Sequence, residues 1–191
     1  MDDLVKTPGG ILVPASESIK LGGFFRGEII RGGYFDKKGL WHRGKNVIDR
    51  FEDHNLVVNE GLNDILSVGF NSGTQKTAWY IGLFEGNYTP VATVTAATIA
   101  SASTETTAYA SSTRPAWTPA APSSQQITNS ASKASFVFNA TKTIYGGFLV
   151  SSNTKSGTGG VLWSAARFSS SKAVDNLDEL LLTYTFTASS V

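Results

Sequence analysis

Leu180-Leu181-Leu182-Thr183-Tyr184-Thr185-Phe186-Thr187 decides how this 191-residue chain is read. From Leu182 onward, apolar and hydroxyl-bearing side chains alternate without a break. Leu182, Tyr184 and Phe186 point one way; Thr183, Thr185 and Thr187 point the other. A period of two puts alternate residues on opposite faces of an extended chain, so the segment reads as a half-buried β-strand. Segments of the same character precede it: Ser135–Asn139, Thr143–Ser151 and Val161–Phe168. Gly146-Gly147 inside the second of these marks a bulge or a close backbone approach. Asn153–Gly160 and Asp175–Glu179 supply the turns. Strands recurring every ten to fifteen residues or so indicate an antiparallel β-sandwich, jelly-roll-like in form.

Further toward the N-terminus, Ala78–Phe84 is apolar throughout, as a central strand is. Residues 86–126 are rich in Thr, Ala and Ser and carry four prolines. They are expected to form long loops, with short strands around Val91–Val94 and Thr106–Tyr109, available to a neighbour or a receptor. Residues 59–69 form the one helix candidate. Asn59 is placed to cap it, Glu60 sits in its first turn, and Leu62, Ile65, Leu66 and Gly69 share a face. Phe24–Arg31 and Val47–Glu52 read as strands, and Tyr34–Arg43 as a hairpin turning at Asp36–Gly39. Residues 1–23, punctuated by Pro8-Gly9-Gly10 and Gly22-Gly23, read as an extended arm. The expected organisation is therefore an arm over 1–23 and a single β-sandwich domain over 24–191 with one short helix.

Composition narrows the function. The net charge is +1, from 16 basic and 15 acidic residues, which offers no strong field to nucleic acid or an acidic membrane. There is no cysteine, and a chain of this length buries roughly 70% of its unfolded surface without staples. Met1-Asp2-Asp3 is acidic where a secretory leader carries cations, so no leader is expected. The charges are unevenly spread: residues 86–174 hold six bases but a single acid, Glu105.

Every catalytic pattern lacks parts. His42 and His54 are the only histidines and stand in no metal-binding spacing. No G-x-S-x-G elbow is present. Gly157-Thr158-Gly159-Gly160 lies between strands, without the following helix that a phosphate cradle needs. Two acid clusters, Asp49/Glu52/Asp53 and Asp175/Asp178/Glu179, read as solvated polar turns; the sharper reading of the second is a calcium site, though it lacks an EF-hand's glycine and spacing. Of the four tryptophans, Trp79 and Trp163 belong to apolar strands and Trp41 to the hairpin. Trp117 sits in the loop Arg114-Pro115-Ala116-Trp117-Thr118-Pro119 and could anchor on the domain, on a neighbour or on a glycan. Asn87-Tyr88-Thr89 and Asn139-Ala140-Thr141 match the glycosylation acceptor pattern but carry no weight without a secretory signal. No catalytic, cofactor-binding or metal-binding residue, and no cofactor, is expected.

Four segments bear a likeness to known proteins: His54-Asn55-Leu56-Val57-Val58-Asn59-Glu60-Gly61-Leu62-Asn63; Thr77-Ala78-Trp79-Tyr80-Ile81-Gly82-Leu83; Thr113-Arg114-Pro115-Ala116-Trp117 with Gln126-Ile127-Thr128-Asn129-Ser130-Ala131; and Ile144–Ser151 with Gly160-Val161-Leu162-Trp163. In order and spacing they resemble a group of virion proteins of tailed bacteriophages. The resemblance runs from residue 54 to about 187 and covers the first 50 residues less well. It implies a non-enzymatic structural protein of the virion, made in the bacterial host cytoplasm. The role it suggests first is capsid decoration, a cement protein bridging capsid subunits; the second is a tail- or fibre-associated protein. The partners implied are the major capsid protein and further copies of this chain, with a host glycan under the second role, and neither nucleic acid nor membrane.

Overall fold

The computed structural model describes residues 19–190, together with the backbone of residues 4–6 and 12–14. In chain order the elements are β1 (Leu4–Lys6), β2 (Leu12–Pro14), β3 (Ile19–Arg31), β4 (Tyr34–Phe35), β5 (Trp41–His42), β6 (Asn46–His54), β7 (Leu56–Val57) and α1 (Asn59–Phe70). There follow β8 (Trp79–Phe84), α2 (Ala96–Ala102), β9 (Ala116–Trp117), β10 (Gln126–Thr128), β11 (Ala134–Val137), β12 (Lys142–Val150), β13 (Leu162–Val174) and β14 (Glu179–Ser190). The chain is mainly β, and all its ladders are antiparallel.

The alternating segment is the middle of β14, the hub of the first sheet. β14 pairs with β3 along its whole length, from Glu179 opposite Ile30 to Ser190 opposite Ile19. β11 and β10 share its other edge, and β6 continues the sheet beyond β3. The second sheet runs β7-β13-β12-β8-β9. The two sheets face one another across one core. Leu180, Leu182, Tyr184, Phe25, Ile29 and Phe136 come from the first; Ile81, Leu83, Leu149 and Phe168 come from the second. All ten are nearly or wholly inaccessible.

The second sheet is covered on its outer face as well. Phe84, Phe148, Val150, Leu162 and Ala165 pack there against Val58, which leads into α1, and against Val94, Ala96 and Ile99 of the α2 segment. That explains why β8 is apolar at every position: its residues face a core on both sides. Two irregularities make the double burial possible. The β12–β13 register shifts between Ile144 and Gly146 and again between Leu149 and Val150. The first lets Ile144 and Leu149, an odd number of residues apart, face the same core. Gly146 is needed at that bulge: a Cβ there would lie 2.1 Å from the Ala166 carbonyl and 2.1 Å from the Phe84 ring.

Several expectations need correction. Ile19–Gly23, read as the end of the arm, open β3 and pair with β14; of the rest of the arm, residues 1–3, 7–11 and 15–18 lie outside the described residues, as does Val191. No strand forms at Val91–Val94, and Thr106–Tyr109 contributes only a bridge from Tyr109 to Phe138. The same region holds a second helix, α2, hidden in its Thr/Ala/Ser composition, with the Thr95 N–H donating to Thr98 Oγ1 at its start. Asn59 is the first residue of α1 rather than its cap; Val58 takes the cap position. The shared face of Leu62, Ile65, Leu66 and Gly69 is not the buried one. Gly61 is the residue α1 buries, because only hydrogen fits where a Cβ would sit 2.6 Å from the Trp163 carbonyl. Ile65, Leu66 and Phe70 are consequently 39%, 56% and 88% exposed.

Candidate interaction surfaces

The acidic residues, the only raw material for chemistry that the sequence offered, are engaged one by one. In the first cluster Asp49 pairs with Lys172, Glu52 with Arg26, and Asp53 accepts the Ser169 N–H at 2.7 Å. In the second, Asp175 and Asp178 both take Arg31, and Glu179 takes Arg43 at 2.6 Å and the Ser135 hydroxyl at 2.6 Å. Burial would raise the Glu179 carboxyl, but its bonds to Arg43 and Ser135 and the Arg43 charge outweigh that and hold it below the ordinary range. The second cluster therefore spends its oxygens on two arginines and the hydroxyls of Ser135 and Thr141; it is not the solvated turn expected, because Asp178 and Glu179 are each 1% exposed. No group of three or more His, Cys, Asp or Glu side chains suited to a metal occurs among the described residues.

Residues 86–126 are pinned to the domain, and Glu105, the lone acid of the charge-poor stretch, does the pinning. Glu105 and Arg114 form a two-point pair, with Arg114 Nε donating to Oε1 at 2.8 Å and Nη2 to Oε2 at 2.7 Å. Both side chains are fully buried. Arg114 also donates to the Ser152 carbonyl at 3.0 Å and lies over the Phe148 ring, and the Ser156 N–H donates to Glu105 Oε2 at 2.9 Å. Further hydrogen bonds offset the desolvation of such a pair, and here the carbonyls of Ser152 and Gly157 accept from Arg114. The Gly157–Gly160 stretch is thus part of a hairpin turn, in which one N–H, that of Ser156, serves a carboxylate of its own chain. Lys155, in the same turn, donates to the carbonyls of Thr107 and Tyr109 and sits 3.6 Å from the Tyr109 ring centre. Burial pushes the Tyr109 hydroxyl far above its ordinary value, and the nearby Glu105 charge adds to the rise.

The aromatic candidates divide. Trp117 is 8% exposed in β9 and donates from Nε1 to the Tyr184 carbonyl at 3.0 Å, so it anchors on its own domain. Together with Trp79, Trp163, Ile127, Leu149 and Phe186 it lines a small mouth of about 170 Å³ between the sheets. All six side chains there are aromatic or aliphatic, with no carboxylate or amide to grip the hydroxyls of a sugar. Trp41 lies against Gly33 and Phe35 in the β4–β5 hairpin. His42 stacks on Tyr34 at 4.9 Å and pairs with Asp36, whereas His54 lies edge-on to Phe24. Asn87 accepts a hydrogen bond from Arg167.

Three features remain at the surface. The outer face of the first sheet is a trough of about 530 Å³ floored by Leu181 and Thr183 and walled by ion pairs: Arg26 with Glu52, and Glu28 with both Arg50 and Lys133. Hydrogen bonds from Lys133 first and Arg50 second hold the Glu28 carboxyl below its ordinary value. α1 presents its apolar stripe of Ile65, Leu66 and Phe70. The β4–β5 hairpin presents Tyr34, Phe35 and Leu40. No protein-family model matches the chain, and no curated protein matches it.

Proposed function

We propose that this protein is a structural component of a tailed-bacteriophage particle, a decoration subunit that bridges capsid subunits and stabilises the head. The observation that carries the reading is the separateness of its N-terminal ladder. Among the described residues, β1 and β2 pair with one another and with no strand of the sandwich. A small unit tethered ahead of a complete domain suits a subunit that reaches onto its neighbours, where many weak contacts repeated over a symmetric shell sum to reinforcement. The exposed α1 stripe adds an apolar patch of the kind that marks contact surfaces, and the resemblance to phage virion proteins over residues 54–187 points the same way. No reaction is proposed.

The test is the number of copies per purified particle, by quantitative mass spectrometry against the major capsid protein. A ratio near one per capsid subunit, or a simple fraction of it, is expected. A few copies per particle would move the protein to the tail or fibres, and none would overturn the reading. Removal of residues 1–18, which spares β3, is expected to abolish capsid binding while the melting temperature of the sandwich stays unchanged.

A further inference from the structure

The charge of this molecule is concentrated in one protruding hairpin. Residues 31–45 hold five cations and one acid, a net +4 in a chain whose total is +1, which leaves −3 for all other residues. Arg31 and Arg43 root the hairpin in the sandwich through Asp178 and Glu179. Lys37, Lys38 and Lys45 are exposed and make no ion pair among the described residues. Beside them stand Tyr34, Phe35 and Leu40, 55%, 43% and 62% exposed. The hairpin is stiff. Asp36 Oδ1 accepts the N–H groups of Lys38 and Leu40, Tyr34 stacks on His42, and Trp41 closes over Gly33. A rigid surface that combines aromatic side chains with uncompensated cations has the composition of an interface anchor.

Its complement is not found on the sandwich. Every acid among the described residues already has a partner there: besides the two clusters and Glu28, Asp36 holds His42, Asp64 holds Lys76, Glu85 holds Lys142, Glu105 holds Arg114, and Glu60 accepts the N–H groups of Ala96 and Leu162. The remaining acids of the sequence, Asp2, Asp3 and Glu17, precede Ile19, and Asp2-Asp3 is followed by the apolar Leu4-Val5. We propose that this acidic–apolar segment of one copy docks on the basic aromatic hairpin of another copy.

Chain length makes the contact intermolecular. Ile19 and Arg31 lie at opposite ends of β3, a 13-residue strand, and so roughly 40 Å apart. Leu4 stands opposite Pro14 in the β1–β2 ladder. Pro14 precedes Ile19 by only five residues, so even fully extended chain places Asp2 and Asp3 no more than about 30 Å from Ile19. The segment cannot reach its own hairpin. Exchanged reciprocally between two copies, such a contact closes as a two-fold dimer; passed on from copy to copy, it propagates into rings or open arrays. The inference concerns the protein in solution and stands apart from its place on a particle.

Sedimentation velocity of the full chain at low ionic strength tests it. Concentration-dependent association is expected, weakened by salt. Asp2→Lys with Asp3→Lys, or Lys37→Glu with Lys38→Glu, is expected to weaken association about tenfold, and the four changes together to restore it to within about threefold. Lys37 and Lys38 are exposed, so the melting temperature of their reversal variant should not move. A chain that stays monomeric at every concentration would overturn the inference, as would reversals that change nothing. Loss on reversing the lysines but not the aspartates would assign the hairpin another acidic partner, and capture of a DNA oligonucleotide without self-association would assign it nucleic acid; either would overturn the proposed occupant.

Discussion

The outer face of the first sheet and the interior beneath residues 105–114 use the same chemistry under opposite conditions. On the outer face Arg26 and Glu52 are 63% and 42% exposed in their side chains, and Glu28 shares two cations with water close by. Under residues 105–114 the side chains of Glu105 and Arg114 are both at 0%. The exposed pairs gain little, because water and salt screen them and long side chains lose freedom to hold them. The single buried pair cannot be traded for water, so it fixes which turn lies against which loop. The charge-poor half of the chain therefore depends more on its one acid than the charge-rich half does on its many.

The sharpest way to break this comparison is Arg114→Ala, which leaves Glu105 buried without its counter-ion. A loss of about 3–5 kcal/mol in denaturant unfolding is expected, and replacing both residues by leucine and methionine should recover most of it. Glu179→Ala is intermediate, since Glu179 is buried but its partner Arg43 is half exposed and can turn to water; about 1–3 kcal/mol is expected in the same measurement. Acid provides a graded version. Glu28 and Glu179 are both held below the ordinary carboxylate value of 4.5, so their contribution is fully present above that pH and disappears as pH falls through the lowered values. Melting temperature should fall by a few degrees over that acidic window, and less in Lys133→Met, which removes the main partner of Glu28. The smallest effect is expected for Arg26→Ala: below about 1 kcal/mol, and vanishing in molar salt. If Arg26→Ala matched Arg114→Ala, burial would not be what separates the two regions.

Much of the fold was legible residue by residue. Leu182-Thr183-Tyr184-Thr185-Phe186 carries its own pleat in its alternation, and the observed strand places Leu182 and Tyr184 in the core. Gly146-Gly147 announced a bulge, and the β12–β13 register shifts there. The turn at Asp36–Gly39 lies between paired strands as expected. What was not legible depended on partners distant in the chain. α2 carries the sequence Ala-Ala-Thr-Ile-Ala-Ser-Ala, in which only Ile99 is a large apolar side chain, and it exists because Phe84, Phe148 and Val150 offer Val94 and Ile99 somewhere to pack. The spacing of Leu62, Ile65 and Leu66 gave α1 an apolar face but not the face it buries; Gly61 permits the close approach to Trp163 that decides it. The fate of Trp117 rested on a carbonyl at Tyr184, 67 residues away.

The sequence alone, then, determined the local conformations: a period of two makes strands, and glycine, asparagine and aspartate make turns, because these follow from backbone sterics within a few residues. It also determined that charge is abundant before residue 60 and scarce after residue 86. The tertiary structure alone decided the strand order, which face of α1 meets the sheet, and that Glu105 would meet Arg114 beneath the Ser152–Gly157 turn. Those choices are settled by desolvation and close packing between segments far apart in the chain, and no local pattern encodes which surfaces will exclude water together.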